Sequence, residues 1–330
     1  METISSLLRW IAENESVLSG VAAAIAIVAV IVALGSNGIR LIRARKQPDS
    51  DATDGKIPQE IRYCRTPSGH RIAWSSAGDG YPLVRSLGWF TNLEMEWDSP
   101  VSSAFCQKLA SRFRLIRYDG RGMGLSDRDV TEFSSETRLE DLEAVIDASG
   151  VERFALMGMS EGGVTALRYA AKYPERVSHL IIWGSFLRTP TAEDVPQFAA
   201  IARLAGDYWG TDNKAFHQMF TATFLPDGNA AENRLFNDMQ KESASAQVVK
   251  LFMRSIGNID EREVAPQVHV PALVLHRKGD MAIPVTFGKE FAALLPNSRL
   301  VLMEGNNHWF VTEDEGLDRL IDHIRGFVSE

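Results

Sequence analysis

Two cysteines, Cys64 and Cys106, are all that the 330 residues contain. They cannot build a disulfide framework, and neither has a Cys or His partner at the spacing of a zinc site. Positive charge is also short. Thirty-five Lys and Arg face 43 Asp and Glu, a net charge of -8. That balance excludes a general nucleic-acid-binding role. Charge of either sign is missing between Glu15 and Arg40. The rest is ordinary for a globular chain, with 45% hydrophobic and 24% charged residues. Such a length suits one large domain or two ordinary ones, with a core that needs no covalent staples.

The uncharged stretch implies a membrane segment. Residues 17–34, from Val17 to Leu34, are apolar except for Ser19 and Gly20. As a helix they would span roughly 27 Å, close to a hydrocarbon core of about 30 Å. A buried core helix would carry a polar stripe, and residues 21–34 have none. A cleaved signal peptide would begin with a basic region, whereas residues 1–16 hold Arg9 against Glu2, Glu13 and Glu15. Four basic residues, Arg40, Arg43, Arg45 and Lys46, follow the run. The positive-inside rule therefore places everything after it in the cytoplasm. Residues 1–16 are a short tail, and 35–58 read as a linker, first basic and then acidic.

From residue 59 the chain alternates strand and helix. Segments 61–65 and 71–75 read as an antiparallel hairpin turned at Pro67-Ser68-Gly69. A third strand follows at 81–87. Helical spacing over 101–113 leads into a short apolar strand at 115–118. Strands at 154–157, 179–183, 272–276 and 300–303 alternate with helices at 139–149, 164–172, 287–295 and 317–328. This rhythm predicts an α/β fold, a mostly parallel eight-stranded sheet covered on both faces. Residues 186–266 break it. They are helical and rich in Phe and Trp, and read as a cap inserted over the site.

Chemistry concentrates at strand ends. Gly158-Met159-Ser160-Glu161-Gly162 lies between a buried strand and a helix, the context of a nucleophile elbow. Ser160 is the candidate nucleophile, and the backbone N–H of Glu161 a candidate oxyanion donor. A serine needs a base and an orienting acid. Asp280 follows the strand at 272–276, and His308 follows the strand at 300–303. The order Ser, Asp, His, each at a strand's C-terminal end, suits such a sheet. His276 lies within a strand and reads as structural. Nothing in the pattern asks for a cofactor or a metal.

These motifs make residues 59–330 resemble the α/β-hydrolase superfamily of serine hydrolases. Residues 118–127, with Asp119 and Arg121, resemble that family's loop after the fourth strand. The resemblance implies a structural turn there and no catalytic role. Residues 88–100 are similar to a bacterial subgroup often fused to cyclase or regulator domains. The resemblance further implies a second oxyanion donor, here the Trp89 N–H. Many relatives carry His-Gly before that position, where this chain has Leu87-Gly88. Relatives that attack with Asp are set aside, since the elbow holds Ser.

The expectation is a membrane-anchored serine hydrolase that cleaves an ester, or a related acyl bond, of a small or medium hydrophobic substrate. Some relatives with intact triads act instead as slow ligand sensors, and that alternative stays open.

Overall fold

The computed structural model describes residues 55–330, apart from 192, 196, 197, 212 and 312–315. The tail, the expected membrane segment at 17–34 and most of the linker lie outside the described residues. Among the described residues, no helix is long and apolar enough to cross a membrane. Ile57 is already tied to the body, its N–H donating to Gln107 Oε1 at 2.9 Å.

Eight strands form one sheet: β1 (Glu60–Arg65), β2 (Arg71–Ala77), β3 (Tyr81–Leu87), β4 (Phe113–Asp119), β5 (Phe154–Met159), β6 (Val177–Trp183), β7 (Ala272–Arg277) and β8 (Ser298–Met303). Their spatial order is β1-β2-β4-β3-β5-β6-β7-β8. The first two pairings, β1–β2 and β2–β4, are antiparallel. All the others are parallel, as the strand–helix rhythm predicts. The helices outside the cap are α1 (Leu93–Asp98), α2 (Ser103–Ala110), α3 (Ser135–Ser149) and α4 (Gly162–Lys172). The cap holds α5 (Phe198–Tyr208), α6 (Lys214–Phe224), α7 (Ala230–Ser243) and α8 (Ala246–Ile256). Two more, α9 (Val285–Leu294) and α10 (Leu317–Val328), flank the last strands.

Neighbouring residues on the central strands point to opposite faces, so both faces must be covered. Leu83, Met157, Ile181 and Leu273 pack with Phe105 and Leu109 of α2 and Leu320 and Ile324 of α10. Their neighbours Val84, Leu156, Ile182 and Val274 pack with Leu142 and Ile146 of α3, Leu167 of α4 and Phe291 of α9. A third cluster is aromatic. It joins Trp89 and Phe90, just after β3, to Phe216, Phe220 and Phe252 of the cap.

Some boundaries differ from expectation. The helix expected at 101–113 ends at Ala110, and Phe113 instead opens β4, paired with Tyr81. Strand pairing wins there over helical spacing, which cannot tell a buried strand start from a helix end. The helix expected from 139 starts at Ser135. Ser134 and Thr137 cap it reciprocally, with Thr in the place usually held by Glu or Gln. Helix α1 was not anticipated. Asn92 caps it by accepting the Met95 N–H at 3.0 Å.

Helix α1 also carries a buried charge. Glu96 Oε2 lies 2.5 Å from Arg85 and 2.6 Å from Arg117, both on strands beneath it. Burial alone would raise the Glu96 carboxyl, but the two guanidiniums outweigh it and hold it below the usual range. The triad thus fixes α1, and with it the chain just past β3, over the end of the sheet.

Candidate active site

The site begins at β5. Gly158, within the strand, and Ser160, just past it, belong to the expected elbow, and α4 starts two residues after Ser160. Ser160 has φ 53°, the one positive φ of a non-glycine among the described residues. The turn survives because its backbone is pinned on both sides. Ser160 N–H donates to Trp183 O at 2.9 Å, and Gly163 N–H donates to Ser160 O at 3.0 Å. Strain of this kind costs about 1–3 kcal/mol and persists where surroundings over-determine it.

Asp280 and His308 meet, as the strand-end reading requires. His308 Nδ1 lies 2.7 Å from Asp280 Oδ2, and both side chains are buried. The ionised carboxylate only accepts, so the proton sits on Nδ1 and Nε2 is left as an acceptor. The other carboxylate oxygen, Oδ1, accepts the N–H groups of Ala282 and Ile283, each at 2.9 Å. This pair packs on Gly184, which follows β6 with φ 53°. A β-carbon there would lie 2.9 Å from His308 Cε1 and 3.3 Å from Asp280 Oδ2. Trp183 joins the halves, since its N–H at Nε1 donates to His308 O at 3.0 Å and its carbonyl holds Ser160. Among the described residues, the imidazole bonds to Asp280 and not to the Ser160 hydroxyl. Resting sites of this chemistry often tighten only once substrate is bound.

Trp89 and Glu161 both line one pocket with Ser160. Neither main-chain N–H has an acceptor among the described residues. Gly88 lies hard against the Glu161 side chain, where a β-carbon would collide with Glu161 Cβ. The loop after β3 and the elbow are therefore in direct contact without the His-Gly pair.

The Glu161 carboxylate is fully inside the protein, 2.8 Å from Arg138 Nε. Burial raises its pKa, and Arg138 opposes the rise. Arg138 in turn donates to Ser255 Oγ of the cap at 2.7 Å. Sequence reasoning found the glutamate and missed its partner, 23 residues earlier and on another helix. The reading of Asp119 and Arg121 as structural agrees with their contacts. Asp119 accepts the N–H groups of Leu93 and Leu125, and Arg121 pairs with Asp141.

His276 is also structural in its contacts. Its Nε2–H donates to Ile283 O at 2.8 Å, and Nε2 lies 3.6 Å from Asp280 Oδ2. Since the carbonyl only accepts, Nε2 carries the proton. Burial lowers its pKa, which keeps it neutral beneath the acid.

The cap holds the histidine loop directly, which sequence reasoning did not foresee. Phe224 O, at the end of α6, accepts His308 N–H at 2.8 Å and Trp309 N–H at 3.3 Å. Asp227 N–H donates to Asn307 Oδ1 at 2.9 Å, and Asn306 Nδ2 donates to both Asp227 carboxylate oxygens. Asn306 and Asn307 directly precede His308 in the chain, but nothing local reveals what they bind.

Among the described residues, no group of three His, Cys, Asp or Glu is placed to hold a metal ion.

Comparison with known proteins bears on the same body. A family model described as the alpha/beta hydrolase fold matches residues 87–315. A 2-hydroxy-6-oxononadienedioate/2-hydroxy-6-oxononatrienedioate hydrolase from a Pseudomonas species is 22% identical over 284 residues, 84% of this chain and 95% of its own. A pimeloyl-[acyl-carrier protein] methyl ester esterase from Nitrosomonas europaea is 29% identical over 245 residues, 71% of this chain and 90% of its own. Among solved structures, an esterase from Exiguobacterium antarcticum superposes with a TM-score of 0.70 at 22% identity. It covers 82% of this chain and all of that one. That likeness speaks to the fold alone.

Proposed function

The chain belongs to the α/β-hydrolase fold family, and from that premise we propose that it is a membrane-anchored serine hydrolase acting on an ester or related acyl bond. The observation that supports this most is the buried His308–Asp280 hydrogen bond, packed on Gly184 beside the strained elbow of Ser160.

In this reading Ser160 Oγ attacks the substrate carbonyl carbon and gives its proton to His308 Nε2. The carbonyl electron pair moves onto oxygen, where the N–H groups of Glu161 and Trp89 stabilise it. The positive end of α4 adds to that field. The bond to the leaving oxygen then breaks, and that oxygen takes the proton from His308. Water attacks the acyl-enzyme, His308 accepts its proton, and the acid departs as Ser160 recovers its hydrogen. Asp280 orients the imidazole and stabilises its charged form.

The esterase and hydrolase activities in the relatives' names fit this chemistry. Hydrolysis of short p-nitrophenyl esters tests the reading. The expected turnover is near the common enzymatic value of about 10 s⁻¹. Tight ligand binding with turnover below about 1 s⁻¹ would favour the slow sensor instead. The cap's direct hold on His308 is the observation that keeps the sensor in view, because it would let cap movement report occupancy.

We also propose that residues 17–34 span the bilayer, with Arg40, Arg43, Arg45 and Lys46 on the cytoplasmic side. A fluorescent reporter fused after Glu330 should light up in the cytoplasm, and a phosphatase active only outside it should stay silent. The reverse pattern would contradict this orientation. A chain shortened to begin at Gly55 should be soluble and keep its activity. Aggregation or loss of activity would mean that the missing segment supports the body.

A further inference from the structure

The pocket beside Ser160 is built almost wholly from hydrocarbon. Phe186, Ile201, Phe220, Phe252, Met253 and Ile256 supply much of its wall. Among the described residues, no Lys, Arg or His lines it. Among the described residues that line it, the one charged residue is Glu161, whose carboxylate is already committed to Arg138 at 2.8 Å. Its volume is about 70 Å³. That is roughly half of the ~150 Å³ dry cavity known to admit benzene, a six-carbon ring.

The side of the ester that enters follows from the proton path. The leaving oxygen must take its proton from His308, so the leaving group lies beside His308. That residue does not line the pocket. On the serine-hydrolase reading, the pocket is assigned to the other half of the substrate, the acyl chain.

We infer that the acyl group is short and uncharged, about four carbons or fewer, and that acyl chains ending in a carboxylate are rejected. The inference rests on the serine-hydrolase reading above and narrows its substrate class. An anion entering this pocket would lose its water and find no cation among the described lining residues to replace it, a penalty that only good pairing offsets. Chain length is limited by the aromatic wall. Trp89 stacks on Phe220 and Phe224 with centroids 5.2 and 5.4 Å apart, and meets Phe252 edge-on at 5.4 Å. Packed interiors yield little to an oversized group, so added methylenes meet this wall.

The test compares three p-nitrophenyl esters on the full chain in detergent: butyrate, octanoate and hemisuccinate. Butyrate and hemisuccinate have acyl chains of equal carbon count and differ by one carboxylate. Expected kcat/KM is higher for butyrate by about tenfold over octanoate and by about a hundredfold or more over hemisuccinate, magnitudes in keeping with methylene and buried-charge discrimination. Ile256→Ala should raise the octanoate-to-butyrate ratio by about tenfold. Should that variant fail to fold, the wild-type ratios decide alone. Hemisuccinate cleaved as fast as butyrate, or octanoate faster than butyrate, overturns the inference while leaving the serine mechanism intact. A folded chain that cleaves none of the three and takes up no fluorophosphonate at Ser160 overturns the mechanism itself.

Discussion

Replacing Ser160 with Ala should lower kcat by about 10⁴ or more, in line with removal of the nucleophile from a serine triad. The fold should not suffer, since the hydroxyl makes no hydrogen bond that holds the structure together. Ser160→Gly adds a sharper expectation. The φ of 53° at this position is costly for any residue with a β-carbon and free for glycine. The glycine variant should therefore be as inactive as the alanine variant and more stable than it. A gain of about 1 kcal/mol corresponds to roughly 2 °C in a domain of this size. Thermal melts of the two variants, run beside the ester assay, check both parts. A glycine variant that melts below the alanine variant would show that the turn is not strained in solution.

Asp280→Asn should cost up to about 10⁴ in kcat, and the geometry says why. Oδ1 of Asp280 accepts two backbone N–H groups, from Ala282 and Ile283. An asparagine must keep its carbonyl oxygen there or leave both donors bare. Its NH₂ would then face His308 Nδ1, which must turn from donor to acceptor. The imidazole proton moves to Nε2, and the base can no longer accept from Ser160. Packing is nearly unchanged, so the melting temperature should hold while turnover collapses. The paired measurement of kcat and thermal stability checks this. Near-native turnover would mean that His308 is oriented by another group.

The parts of this site that were legible in the sequence share one property: their signals are local. The elbow announces itself because Gly158, Ser160 and Gly162 lie within five residues, between a strand and a helix. Asp280 and His308 are legible because each follows a strand, and a parallel sheet brings all such ends to one edge. The partners of these residues were not legible. Arg138 reaches Glu161 across two helices, and Arg85 and Arg117 meet Glu96 across strands. Phe224 and Asp227 grip the His308 loop from a cap 79 to 85 residues earlier in the chain. Nothing in residue spacing encodes such contacts, because they form only when separately specified elements pack. Helix α1 escaped for a related reason. At six residues it is too short to show a periodicity, and the buried Glu96 reads locally as a solvent-facing charge.

The central claim is that Ser160 is the nucleophile, with His308 as its base. The most direct measurement is mass spectrometry after treatment with a fluorophosphonate, read beside the loss of ester hydrolysis. One adduct per chain should form, on the peptide that contains Ser160, and activity should fall in step with it. His308→Ala should slow that labelling sharply, and Ser160→Ala should abolish it. An adduct on a different residue, or hydrolysis that persists after Ser160 is fully modified, would contradict the account.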